Sequence, residues 1–133
     1  MTDAYLIREL PDGGKEFVLD DPVLAWIQID TGVHLRFGAA EVVVGGPFDL
    51  NLDGIVHRLY PQRVEGLGPV LALFPGTARW LWSAPDGCLT LVFEHGARLR
   101  VGPAGPPGAW VIEDGAHERV PSRLRRRLGR DGL

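Results

Sequence analysis

The sequence predicts a mainly β fold, α+β only at its margin: two antiparallel meanders with one short helix between them. Three observations carry this. Apolar and polar residues alternate with period two over most of residues 24–113, which is the pattern of half-buried strands. Glycine, proline and Asp-Gly steps punctuate those runs at hairpin intervals. One unbroken apolar run, Val70 to Phe74, stands between Gly68-Pro69 and Pro75-Gly76, where proline suits a first helical turn and Pro-Gly ends a helix.

Residues 1–23 read as a polar N-terminal arm, broken by turns at Pro11-Asp12-Gly13-Gly14 and Asp20-Asp21-Pro22. Between those turns Phe17-Val18-Leu19 has the makings of an edge strand. Strands then follow over residues 24–29, 33–37 and 41–44, separated at Asp30-Thr31-Gly32 and Gly38. Phe48, Leu50 and Leu52 alternate with Asp49, Asn51 and Asp53, and residues 55–60 return as a partner strand up to Pro61. Asp53-Gly54 is a two-residue hairpin signal, because both central positions of a type I′ turn need positive φ. The helix of about two turns is too short to be stable by propensity and must be held by packing.

A second block repeats the scheme. Strands fall at 78–83, 89–93 and 97–101, with turns at Pro85-Asp86-Gly87 and His95-Gly96. Residues 102–108 are glycine and proline with one alanine, a loop that cannot join a sheet ladder. Residues 109–112 make a last strand. These elements group into a single β-rich domain over residues 24–117, followed by a basic C-terminal tail over residues 118–133.

The two blocks resemble each other. Trp26, Asp30, Gly32, Leu35-x-Phe37, Val42-x-Val44 and Gly46-Pro47 correspond to Trp80 or Trp82, Asp86, Gly87, Leu91-x-Phe93, Leu99-x-Val101 and Gly102-Pro103. The reading is a duplicated three-stranded meander, each copy too small to bury its own face. The competing account is that any two meanders share alternation and Gly/Pro turns.

Composition bounds the class. With 45% hydrophobic and 23% charged residues over 133 positions, the chain suits one soluble globular domain with its own core. No apolar stretch reaches the ~20 residues of a membrane span. The N-terminus lacks a basic segment followed by an apolar run, and the lone cysteine, Cys88, has no intrachain partner, so the cytoplasm is the expected location. Arginine outnumbers lysine thirteen to one, read as the imprint of a GC-rich genome. Residues 1–117 hold 15 acidic against 8 basic side chains, net −7, and residues 118–133 hold 2 against 6, net +4. An acidic body argues against a dedicated nucleic-acid binder. In the tail, Leu124 and Leu128 stand four apart among arginines, a spacing that fits a short amphipathic helix touching nucleic acid or an anionic membrane; with no aromatics in the run, the preferred reading is a solvated segment whose removal from residue 122 onward should leave the fold intact.

No assembled chemistry emerges. Asp49-x-Asn51-x-Asp53-Gly54 matches the opening of a calcium loop, but its twelfth position is Tyr60 and apolar residues alternate through it. Side chains two apart on a strand project in parallel and do not converge on one ion, so the hairpin is expected and no metal. His34, His57, His95 and His117 show no ligand spacing; His34 and His57 are placed on polar strand faces. Cys88 reads as a small buried hydrophobe. Neither serine, Ser83 or Ser122, lies in a nucleophile elbow, and no cofactor fingerprint is present.

The tryptophans are the most informative residues. Trp26 and Trp110 are expected in the core. Trp80 and Trp82 share one face of their strand, so they are either both core or both on a binding surface, and they are the candidate partner-binding residues.

The block Gly87-x-Leu89-x-Leu91-x-Phe93-x-x-Gly96-x-x-Leu99-x-Val101, followed by Ala109-Trp110, resembles an uncharacterised family of small β-rich proteins from GC-rich bacteria. The resemblance covers roughly residues 24–113 and implies a β-rich fold with no assigned site. The expected function is a non-catalytic protein-binding module. An immunity-type protein masking a toxin is one concrete form, since acidic charge steers association with a basic partner. The alternative is a small-molecule-binding domain or minor enzyme with a pocket at the mouth of the sheet.

Overall fold

A computed structural model describes residues 4–102 and 109–114. The fold is mainly β, in two antiparallel sheets. The strands are β1 (Tyr5–Glu9), β2 (Lys15–Leu19), β3 (Trp26–Ile29), β4 (Val33–Phe37), β5 (Ala40–Val44), β6 (Phe48–Leu52), β7 (Ile55–Leu59), β8 (Ala78–Ser83), β9 (Leu89–Phe93), β10 (Arg98–Val101) and β11 (Trp110–Asp114). One sheet has seven strands in the order β1-β2-β8-β9-β10-β6-β7, the other four in the order β11-β5-β4-β3. The expected loop residues from Pro103 to Gly108 and the basic tail lie outside the described residues.

Alternation places the core. Val33, Leu35, Phe37, Val42 and Val44 of the smaller sheet and Phe48, Leu50, Leu81, Leu89, Leu91, Phe93, Leu99 and Val101 of the larger belong to one buried cluster. The inner faces of two sheets therefore share a single core; Phe37 and Phe93 meet across it with ring centroids 6.3 Å apart.

Two local expectations are amended. The stretch before β8 forms two 3-10 turns, Val64–Gly66 and Gly68–Leu73, rather than an α-helix. Val70 donates to Leu67 O and Phe74 to Leu71 O, three residues back in each case. Pro69 lacks an N–H and Pro75 biases Phe74 toward extended backbone, so a lengthened α-helical ladder has no room. In the arm, the strand at residues 17–19 does form, but it is interior. Tyr5–Glu9 pairs with it from Tyr5↔Leu19 to Glu9↔Lys15 and takes the edge. The exposed Leu6 and Ile7 carried no clear alternation by which to read that outer strand.

The meanders match by register. Val33↔Val44, Leu35↔Val42 and Phe37↔Ala40 in one correspond to Leu89↔Val101, Leu91↔Leu99 and the Phe93 to Ala97 hydrogen bond in the other. Ile27↔Leu35 corresponds to Leu81↔Leu91, which makes Trp26 the counterpart of Trp80 and Gln28 that of Trp82. Asp30 Oδ1 accepts the Gly32 N–H and Asp86 Oδ1 the Cys88 N–H, both at 3.0 Å. Each meander then sends its next strand to the other sheet: β6 pairs with β10 through Phe48↔Val101, and β11 with β5 through Trp110↔Val44.

Candidate functional site

Register pairs define what the outer face of the seven-stranded sheet presents, because cross-strand partners share a face. One row runs Arg8, Glu16, Trp82, Thr90, Arg100, Asp49, Arg58. A second holds Leu6 and Val18 on one side and Trp80, Val92, Arg98, Asn51, Val56 on the other. Trp80 and Trp82 therefore stand together on the outer face, while Leu81 and Ser83 between and beside them turn inward and are buried.

Trp80 is 49% exposed, and the Arg79 guanidinium lies 4.8 Å from its ring centroid. Trp82 is half-buried, and its row neighbour Thr90 is buried even though it lies on the outer face. The pair is thus surface, with Trp80 the more accessible. Leu6 and Val18 extend the apolar area toward the sheet edge, both exposed.

Around the tryptophans the charge is locally positive. Arg8 is neutralised by Glu16 at 2.8 Å and Arg58 by Asp49 at 3.1 Å. Arg100 turns its Nη2 to Cys88 Sγ at 3.2 Å. Among the described residues, neither Arg79 nor Arg98 forms an ion pair with a carboxylate. Cys88 itself is buried, and that burial pushes its thiol up, more strongly than nearby Arg100 pulls it down; a thiol held protonated is a poor nucleophile.

Two depressions adjoin Trp80. The ladder between β2 and β8 covers only Lys15↔Ser83 and Glu16↔Trp82. Beyond it the strands part over a cleft of about 200 Å³ between Phe17-Val18-Leu19 and Ala78-Arg79-Trp80. The second, of about 250 Å³, is floored by Leu10, Glu16, Trp80 and Trp82. A third lies elsewhere, against Leu52, Asp53, Ala72, His95 and Ala97. There His95 Nε2 lies 3.3 Å from Leu73 O and Nδ1 accepts the Ala97 N–H at 3.4 Å.

The outer face of the smaller sheet is different in kind. Its counterpart positions hold Trp26, Gln28, His34, Arg36, Glu41 and Val43. His34 Nδ1 sits 2.5 Å from Glu41 Oε2 and Nε2 3.0 Å from Asp30 Oδ1. The Glu41 hydrogen bond raises the imidazole pKa first, against a smaller opposing effect of burial and with help from Asp30. Asp30 is lowered although burial alone would raise it, because the Gly32 N–H and His34 outweigh that. Both ring nitrogens face a carboxylate, so the protonated imidazole can donate to Glu41 and Asp30 together.

Three placements differ from expectation. Trp26 is 37% exposed, not core: Ile27 pairs with buried Leu35 and so takes the inward position. Its ring instead carries Arg36 at 5.2 Å. Trp110 is half-buried against the core, with Nε1 donating to Gly87 O at 2.9 Å. His34 lies on the polar face as expected, whereas His57 pairs with buried Leu50 and faces the core side. It does so at the sheet margin, where Ile55 on the same side is 63% exposed. Asp49 and Asn51 stand in parallel on the outer face. Asp53 and Gly54 take φ of 53° and 85°, and Asn51 Oδ1 accepts the Gly54 N–H, the hairpin geometry.

Among the described residues no group of three or more His, Cys, Asp or Glu side chains could hold a metal. Among them also no helix is long and apolar enough to cross a membrane. The chain belongs to a family of unknown function, DUF6188, whose model matches residues 17–125. No curated protein and no solved structure matches it.

Proposed function

We propose that this protein is a non-catalytic module that binds another protein through the outer face of the seven-stranded sheet, with Trp80 and Trp82 as anchors. The observation that carries the reading is Trp80, 49% exposed beside the half-buried Trp82 and two depressions. Tryptophan and arginine are the side chains that most often dominate binding energy at interfaces, and this face offers both. The two meanders supply an internal comparison. Their inward positions hold the same kinds of residue, and an exposed tryptophan recurs outward as Trp26 and Trp80, while the other outward positions differ: His34, Glu41 and Val43 against Thr90, Arg98 and Arg100. Packing explains the first; a distinct task for one outer face explains the second.

The immunity-type form of this reading rests on the net −7 of residues 1–117, which would steer a basic toxin. The tryptophan face carries the opposite local charge, so the contact surface itself favours an acidic partner.

The test uses the full chain as bait in a lysate of the native organism, alongside Trp80→Ser and Arg98→Glu variants shown by circular dichroism to be folded. The expected result is a protein held by the wild type and lost from both variants. An identical set of captured proteins on all three baits would overturn the reading.

A further inference from the structure

We infer that the partner presents an acidic segment with a bulky apolar residue, and that this residue seats in the cleft between β2 and β8. The inference rests on the protein-binding reading above and names the class of partner. Its first support is geometric. The β2–β8 ladder ends after two pairs, and the strands diverge instead of closing. The space between them is about 200 Å³, room for a leucine or phenylalanine side chain; Phe17, Val18, Leu19 and Trp80 give it apolar walls, and its charged lining residues are Arg79 and Glu16, the latter already paired with Arg8. An apolar slot with few polar groups binds by removing apolar surface from water.

The second support is charge. Arg79 lies at the rim, its guanidinium over the Trp80 ring at 4.8 Å. Arg98 lies in the Trp80 row, two strands away, and Arg100 beside it in the Trp82 row. Trp80 thus sits between an apolar slot and a group of arginines, two of which have no carboxylate partner among the described residues. Carboxylates flanking an anchor residue would reach them, with arginine able to bind a carboxylate bidentately. A basic segment would be repelled here.

A nucleic acid is the competing polyanion, and the surroundings disfavour it. Asp49 and Glu16 interrupt the outer rows, and residues 1–117 carry net −7. A short peptide stays within the positive patch, whereas an extended phosphate backbone runs on over acidic surface at distances near the ~8–10 Å screening length.

The test selects peptides from a random display library on the immobilised full chain. Enriched sequences should combine Asp or Glu with Leu, Phe, Ile, Met or Trp. A synthetic peptide of the enriched sequence should bind roughly tenfold more weakly to Arg79→Glu or Arg98→Glu. It should also lose affinity for Val18→Trp, which narrows the cleft mouth, and in higher salt. If enriched peptides need Trp80, by loss in Trp80→Ser, but are neutral or basic, the partner class is wrong and the binding face stands. If no enriched peptide depends on Trp80, both fall. Tighter binding of single-stranded oligothymidylate than of the peptide, lost in the same arginine variants, would overturn the inference in favour of nucleic acid.

Discussion

Val23 and Thr77 face each other in an isolated antiparallel bridge, and each holds the position before its meander that the other holds in the matching one. The hydrogen bonds around them are reciprocal: Leu24 N–H donates to Gly76 O at 2.9 Å, and Ala78 N–H donates to Pro22 O at 2.8 Å. Two chain segments related by a local two-fold make such a pattern, since an antiparallel pair is itself two-fold symmetric. The exchange of β6 and β11 between the sheets obeys the same symmetry. Each half thus completes the other's sheet, and neither meander needs to be stable alone.

That symmetry makes Phe37 and Phe93 equivalent, and both are almost fully buried with ring centroids 6.3 Å apart. Phe37→Ala and Phe93→Ala should each cost about 3–5 kcal/mol. Because the rings touch the same space, the double variant should lose less than the sum of the two. Urea denaturation of the four proteins measures this; strict additivity would show that the rings do not share a core.

Most of the fold was legible because the outer and inner residues of each strand differ in polarity. Val33, Leu35 and Phe37 against His34 and Arg36, or Phe48 and Leu50 against Asp49 and Asn51, declare their faces by period two alone. What was not legible follows from where that contrast fails. Tyr5–Glu9 shows exposed Leu6 and Ile7 side by side, so nothing marks it as a strand. Trp26 looks like core because tryptophan is large and apolar, yet register puts Ile27 inward. The site was half legible. Adjacent Trp80 and Trp82 on one strand face could be found in the sequence, but their exposure depends on which side Leu81 buries. Arg98 and Arg100 join them only through the pairing of β9 with β10.

The Asp53-Gly54 turn offers a test free of packing. Gly54 has φ of 85°, and an added Cβ there would meet nothing within 4 Å. Gly54→Ala should therefore cost about 1–2 kcal/mol through backbone conformation alone. Calcium should leave the melting temperature of wild type and variant unchanged. A variant as stable as wild type in thermal denaturation would show that the turn relaxes to another type.

The Asp30–His34–Glu41 cluster links stability to pH. The His34 pKa is raised from 6.5 in the folded chain, mainly by its hydrogen bond to Glu41. A raised folded value means the charged imidazole stabilises fully below its unfolded pKa, and that this contribution fades as pH rises through the folded pKa. His34→Ala should thus cost about 1–3 kcal/mol at pH 6, and the gap to wild type should shrink toward high pH. Asp30 acts in the opposite sense: its folded pKa is lowered, so its contribution is lost only as pH falls through that value. NMR titration of the His34 ring, with denaturation curves of wild type and variant across pH, checks both signs; a gap that widens with pH would contradict them.

The tryptophans can be told apart by stability before any partner is known. Trp80 is 49% exposed, with Arg79 over its ring and the cleft beside it, so Trp80→Ala removes less buried surface than the loss of a core tryptophan. It should cost about 1–2 kcal/mol, short of a core aromatic. Trp82 is half-buried beside Thr90, a buried polar residue on the outer face. Trp82→Ala opens that neighbour to water and should cost more, about 1–3 kcal/mol. Denaturant unfolding ranks the two, and iodide quenching of each single-tryptophan-deleted protein reports which ring contributes the accessible fluorescence. The expected order is Trp80 first in accessibility and last in stability cost. If Trp80→Ala unfolds the protein, the residue is core, and the outer face of the larger sheet loses its anchor.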